Sequence, residues 1–155
     1  MSTATATLYE TDFYGWIQQQ VAALRSGQLG RLDMNNLIEE VESMGRSEKR
    51  ELESRIELLL MHLLKWRFQP ERRGTSWEAT IKEQRDRIAD HLAENPSLQG
   101  TLPETYSKAY RYAVTGAVKE TSMPAATFPA SCPWTFEQAM DDDFWPTAPA
   151  APART

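Results

Sequence analysis

The stretch Glu51-Leu52-Glu53-Ser54-Arg55-Ile56-Glu57-Leu58-Leu59-Leu60-Met61-His62-Leu63-Leu64-Lys65-Trp66-Arg67-Phe68 decides the fold. Leu52, Ile56, Leu59, Leu60, Leu63 and Leu64 recur at intervals of three and four, the period of an α-helix and not of a strand. Leu58 and Met61 widen the apolar arc beyond a single stripe, so a helix from about Ser47 to Phe68 is expected at the centre, touched on more than one side. Glu51 and Arg55 stand four apart in the favourable order, whereas Glu53 and Glu57 repel.

Upstream, Phe13, Trp16, Ile17, Gln20, Val21 and Leu24 fall on one face of a helix that begins near Thr11 or Asp12 and ends at Gly27 and Gly30. A second helix follows Asp33, a good N-cap, with Met34, Leu37, Ile38, Val41 and Met44 on one face and Glu39, Glu40 and Glu42 mostly on the other. Gly45 either ends this helix or bends it into the next, leaving one bent helix or two over 33–68. Downstream, Pro70 stops the central helix. Thr75 with Glu78 reads as a capping box for a fourth helix to about Glu94, carrying Trp77, Ile81, Ile88 and Leu92. A fifth helix follows Thr101, with Glu104 completing another capping box and with Tyr106, Ala109, Tyr110, Ala113, Val114 and Ala117 along it. Its small residues let a neighbouring helix approach closely.

Six of the nine prolines lie between Pro124 and Pro152. Within this segment Thr135 and Gln138 fit a capping box for one short helix, 135–140. The stretch also carries Phe128, Trp134, Phe136, Phe144 and Trp145, and disordered chain is poor in aromatics, so it should fold back onto the helices. The expected architecture is all-α: a compact bundle of four or five main helices with a proline-rich C-terminal strap, one domain over 8–146, and disordered termini at 1–7 and 147–155.

Length and charge narrow the function classes. The chain has 155 residues, a net charge of -5 and one cysteine, Cys132. The acidic balance argues against a general nucleic-acid binder, and a lone cysteine permits no internal disulfide. The first residues lack the basic and apolar regions of a signal peptide, and no apolar run approaches the ~20 residues of a membrane span. A cytoplasmic protein without membrane contact is expected.

Several segments together resemble a known family: Tyr9-Glu10-Thr11-Asp12-Phe13-Tyr14-Gly15-Trp16, Glu39-Glu40-Val41-Glu42-Ser43-Met44-Gly45, His62-Leu63-Leu64-Lys65-Trp66, Gln69-Pro70-Glu71-Arg72-Arg73, Cys132-Pro133-Trp134 and Asp143-Phe144-Trp145-Pro146. The chain resembles domain-of-unknown-function family twenty-nine, a family of small bacterial proteins, from about Tyr9 to Pro146. The resemblance implies a compact helical fold in a bacterial cell and brings no activity, substrate or catalytic residue with it.

Candidate chemistry is sparse. A di-iron bundle needs Glu-x-x-His on one helix face, but Leu59 precedes His62 and Ile88 precedes His91 at that spacing, so no metal and no cofactor is expected. The carboxylates Glu39, Glu40 and Glu42 read as a solvated face. Asp141, Asp142 and Asp143 lack the spacing of a calcium loop. His62 reads either as a general base or as a partly buried histidine hydrogen-bonded to a neighbouring helix.

The segment 65–73 has four basic residues against one acid. Lys65, Trp66, Arg67, Arg72 and Arg73, with Trp77 and His62 beside them, are the candidate binding residues. Guanidinium groups clamp phosphate, rings stack on bases, and the helix starting at Thr75 adds free N–H groups. Alternatively Lys65 and Arg67 balance a helix C-terminus, Trp66, Phe68 and Trp77 pin the turn to the core, and Arg72 and Arg73 pair with Glu40 or a similar acid. By contrast 9–45 carries six acids and two bases. The first expectation is a non-enzymatic protein-interaction module, self-association included, whose partner is another protein. A nucleic-acid or phosphate binder acting through 65–73 comes second, and an enzyme using His62 last.

Overall fold

A computed structural model describes residues 7–149. The expected disorder at 1–7 and 147–155 therefore lies outside the described residues, except at Thr7 and 147–149, which have no regular structure. The described residues contain helices and turns and no strand. The helices are α1 (Leu8–Thr11), α2 (Phe13–Arg25), α3 (Met34–Phe68), α4 (Thr75–Glu94), α5 (Leu102–Thr121) and α6 (Phe136–Met140). Four of them are main helices, as the periodicity requires. They fall into two compact units, up to Ser47 and from Glu48 onward.

The α3 helix is continuous through Gly45, which resolves the two readings of 33–68 in favour of one helix. A Cβ at Gly45 would meet nothing within 4 Å, so this glycine neither breaks the helix nor admits a close neighbour.

In the first unit, the Asp12 side chain accepts from the Gly15 N–H at 3.0 Å and caps α2. Gly27, at φ 69°, lies in the left-handed region that ends a helix without Cβ strain. Asp33 stands before α3. Its carboxylate accepts from Asn36 Nδ2 at 2.8 Å and from the Trp16 indole N–H at 3.1 Å, and its backbone N–H donates to Gln20 at 2.8 Å. The Asn36 bond, seconded by Trp16, holds this carboxyl below the ordinary aspartate range. The turn is thereby tied to α2 by one acid.

In the second unit, Leu52, Ile56, Leu59, Leu60, Leu63 and Leu64 of α3 form one buried cluster with Ile81 and Ile88 of α4 and Ala109, Ala113 and Ala117 of α5. Close approach is visible at Gly116, where a Cβ would sit 2.7 Å from the Met61 sulfur.

Two expected caps are not formed. Thr75 is the first residue of α4 itself, after Gly74, and makes no capping bond. Thr101 precedes α5, but its hydroxyl donates to the Leu98 carbonyl instead, because the chain arrives in a 3-10 turn. The third capping box, Thr135 with Gln138, forms in both directions.

The proline-rich strap is docked within this unit. Phe128, Trp134 and Ala139 are buried in the same apolar cluster. Its carbonyls are bonded from the helices: Tyr106 donates to Trp134 at 2.9 Å, Arg85 to Ala139 and Phe144 at 2.8 and 2.7 Å, and Tyr110 to Pro129 at 2.5 Å. Irregular chain has no ladder for its polar groups, so side-chain donors take that role. No helix among the described residues is long and apolar enough to cross a membrane.

Candidate functional site

The residues of the basic turn come together at the end of α3, and most are engaged internally. Lys65 is buried; its ammonium pairs with Glu120 of α5 and lies 4.6 Å over the Trp77 ring. Trp66 packs against Trp145 of the strap at 4.7 Å. Arg73 donates from Nε to the Trp66 carbonyl at 2.6 Å and from Nη2 to the Pro146 carbonyl at 3.3 Å, with its guanidinium 5.2 Å from the Trp66 ring. Arg67 is half-buried beside Phe68. Arg72 alone of the four is exposed. This arrangement clamps the turn to the strap and leaves little cationic surface for phosphate.

His62 sits in the wall of the α3 core. Its Nδ1 is 2.9 Å from the Leu58 carbonyl, within its own helix. Burial pushes its pKa down, helped by Lys65 and opposed by the Leu58 carbonyl and Glu120. It is thus a neutral imidazole whose Nδ1 proton is held on a backbone carbonyl, with no nucleophile bonded to it.

Cys132 lies 3.3 Å from the Tyr106 hydroxyl. Burial raises the thiol pKa, outweighing the Tyr106 contact. Burial also raises Tyr106 well above the ordinary phenol range and pushes Tyr110 up to about 12. This trio stays protonated and reads as packing.

A surface the sequence reading did not single out lies in the first unit. The apolar faces of α2 and of the first turns of α3 line an open groove of about 360 Å³. Phe13, Ile17, Val21 and Leu24 form one wall, Val41 and Met44 the other, and all six are exposed. Their spacings, 13/17/21/24 and 37/41/44, put them on one helical face each. An aromatic cluster closes one end: Tyr9, Phe13 and Trp16 lie with ring centroids 4.8–5.8 Å apart.

Acids near the groove already have partners. Tyr9 donates its hydroxyl to Glu40, a bond that raises the Tyr9 pKa. Arg46 bonds Glu39 at 2.9 Å and lies 3.8 Å from Glu42. The periodicity revealed the apolar stripes, but stripes on two helices normally imply burial. That these remain open follows only from the three-dimensional arrangement.

One set of metal-type ligands converges among the described residues: Glu48 and Glu51 of α3 with His91 of α4, their ligand atoms all within 4.8 Å of one another. This set is a Glu-x-x-Glu pair on one helix completed by a histidine of another, unlike the Glu-x-x-His pattern of a single helix face.

The chain matches the family model described as "Domain of unknown function DUF29" over residues 8–145. No curated protein and no solved structure matches it. The match covers nearly the whole chain, including the N-terminal groove, the basic turn and the strap, and the chain therefore belongs to the DUF29 family.

Proposed function

We propose that the protein is a non-enzymatic interaction module that self-associates, with the groove of one N-terminal unit packed against the same groove of a second copy. One observation carries this reading: of eleven large apolar side chains left exposed among the described residues, ten lie in the first unit and only Tyr112 in the second. A pair of helices is a single layer, and a single layer must bury its apolar face against another. Two such pairs face to face make a four-helix bundle, the usual solution for this kind of surface.

The size of the surface supports it. Six groove side chains, each leaving on the order of 80 Å² open, give roughly 500 Å² per copy. Pairing then buries close to the ~1,000 Å² that a specific interface needs. The charges support a second copy over a basic peptide. Glu39, Glu40 and Glu42 are engaged by Arg46 and Tyr9, so the rim does not call for a cationic partner.

The basic turn gives the phosphate-binding reading little support, since Lys65 and Arg73 are already bonded, and His62 has neither the exposure nor the neighbours of a general base. The setting that fits a lone half-buried thiol and the family resemblance is the cytoplasm of a bacterium.

The salt dependence of self-association tests the reading. Between about 50 mM and about 500 mM salt, pairing through apolar faces on two acidic units should hold or strengthen, because salt screens their mutual repulsion. Steep weakening over that range would mean the association is driven by opposite charges and would remove the groove as its cause.

A further inference from the structure

We propose that Glu48, Glu51 and His91 bind one divalent transition-metal ion of the zinc class, tying α3 to α4 within the second unit. His91 is only 5% exposed, and its Nε2 stands 2.8 Å from the backbone carbonyl of Glu48. A carbonyl oxygen only accepts, so that contact places the imidazole proton on Nε2. In the neutral imidazole the other nitrogen, Nδ1, presents a lone pair to Glu51 Oε2 at 3.4 Å. Two lone pairs facing each other in a half-buried site repel, and a cation between them removes the conflict.

The separation suits a metal. Ligands about 2.0–2.1 Å from a tetrahedral ion stand about 3.3–3.5 Å apart, and Nδ1 and Oε2 are at that spacing. A metal-bound histidine commonly donates its second N–H to a backbone carbonyl, as His91 does to Glu48. The first carboxylate is oriented too: Arg55 grips Glu51 Oε1 with Nη2 at 2.8 Å and Nε at 3.2 Å, leaving Oε2 free for the ion.

Glu48 supplies the third ligand. Its half-exposed carboxylate lies 3.5 Å from His91 Nε2, with its ligand atom within 4.8 Å of those of Glu51 and His91, and the site requires this flexible side chain to turn toward Nδ1. Asp90 and Glu94 line the open side of the same pocket, together with Arg55 and Arg87. The three carboxylates of that pocket, with Glu48 beside His91, outnumber its two guanidinium groups, and the field favours a divalent cation. Water completes the coordination. An imidazole ligand selects a zinc-class ion over calcium or magnesium, which take oxygen ligands.

Calorimetric titration of zinc chloride into the full-length protein at about pH 7.5 tests the site. The expected result is one equivalent bound, with affinity reduced at least tenfold in Glu51→Gln and in His91→Gln. Glu104→Gln, a carboxylate change elsewhere on the surface, should leave it unchanged. Glu48 and Glu51 are exposed, so Glu48→Gln and Glu51→Gln keep the fold and decide the matter if His91→Gln does not. The proposal is overturned if the wild type shows no saturable one-equivalent binding, or if Glu51→Gln binds as tightly as wild type. It is also overturned if nuclear magnetic resonance finds both His91 nitrogens protonated in the presence of excess zinc, since a proton then fills the gap between Nδ1 and Glu51.

Discussion

Arg85 reaches from the middle of α4 to the Ala139 carbonyl, donating Nε–H at 2.8 Å, and its Nη2 donates to Phe144 at 2.7 Å. It is one of the largest fully buried side chains, and its guanidinium lies 5.3 Å from the Trp145 ring. Burial holds its pKa below the usual guanidinium value, opposed by Asp142 and Asp141. The strap's carbonyls, the Trp145 ring and the two aspartates make this buried cation tolerable.

Arg85→Met removes both donors and leaves two carbonyls to find water. Hydrogen bonds to charged groups contribute about 1.5–3 kcal/mol each, offset here by the relief of a buried charge. The expected net loss is about 2–3 kcal/mol, read by denaturant unfolding. Limited proteolysis should show faster cutting between Met140 and Pro146. An unchanged midpoint and unchanged protection would mean the aromatics alone hold the strap.

The two neighbouring arginines of the basic turn should behave differently. Arg72 is exposed, so Arg72→Glu should move stability by no more than about 0.5 kcal/mol. Arg73 bonds the Trp66 and Pro146 carbonyls, so Arg73→Glu should cost about 2 kcal/mol. Thermal unfolding of the single variants checks this. Equal and negligible effects would free Arg73 from its clamping role.

His62 makes stability depend on pH. Its pKa is lowered in the folded protein, chiefly by burial, so the unfolded chain takes up a proton first as pH falls. The neutral form's contribution is therefore complete above the unfolded value, about 6.5, and is lost as pH falls from there through the lower folded value. The check is a difference between the variant and wild type. The loss of stability between pH 7.5 and pH 5 should be smaller in His62→Gln than in wild type. Identical slopes would mean His62 is solvated.

Cys132 should be a slow thiol. Its pKa is raised by burial and its sulfur contacts the Tyr106 hydroxyl at 3.3 Å. The thiolate is the reactive species. Modification by a disulfide reagent at pH 8 should run at least tenfold slower in the native protein than in denaturant, where the thiol is solvated and regains its ordinary pKa. Equal rates would contradict the burial.

Most of the architecture was legible because helical periodicity is local. Leu52 to Leu64 predict the central helix, and the aromatics of the strap predict its docking, since each signal lies within one segment. Thr75 and Thr101 misled because a capping box depends on where the preceding turn ends, which propensity does not contain. The functional surfaces were less legible for a related reason. His91 joins Glu48 and Glu51 only through the register of α4 on α3, forty or more residues apart. The partners of Lys65 and Arg73, Glu120 and the Pro146 carbonyl, lie 55 and 73 residues away, beyond what a local pattern can name. The stripes of α2 and α3 were plain, but a stripe does not say whether anything covers it.

If the open apolar groove of the first unit is a self-association surface, two copies pair through it. Sedimentation equilibrium measures this most directly, on wild type and on Val41→Glu, whose exposed side chain lines the groove. The expected mass for wild type at micromolar concentration is twice that of the 17.7 kDa chain. A single-chain mass is expected for Val41→Glu, with a melting curve otherwise that of a folded helical protein. A wild type that sediments as a single chain throughout, or a Val41→Glu variant that pairs as tightly as wild type, would contradict pairing through the groove.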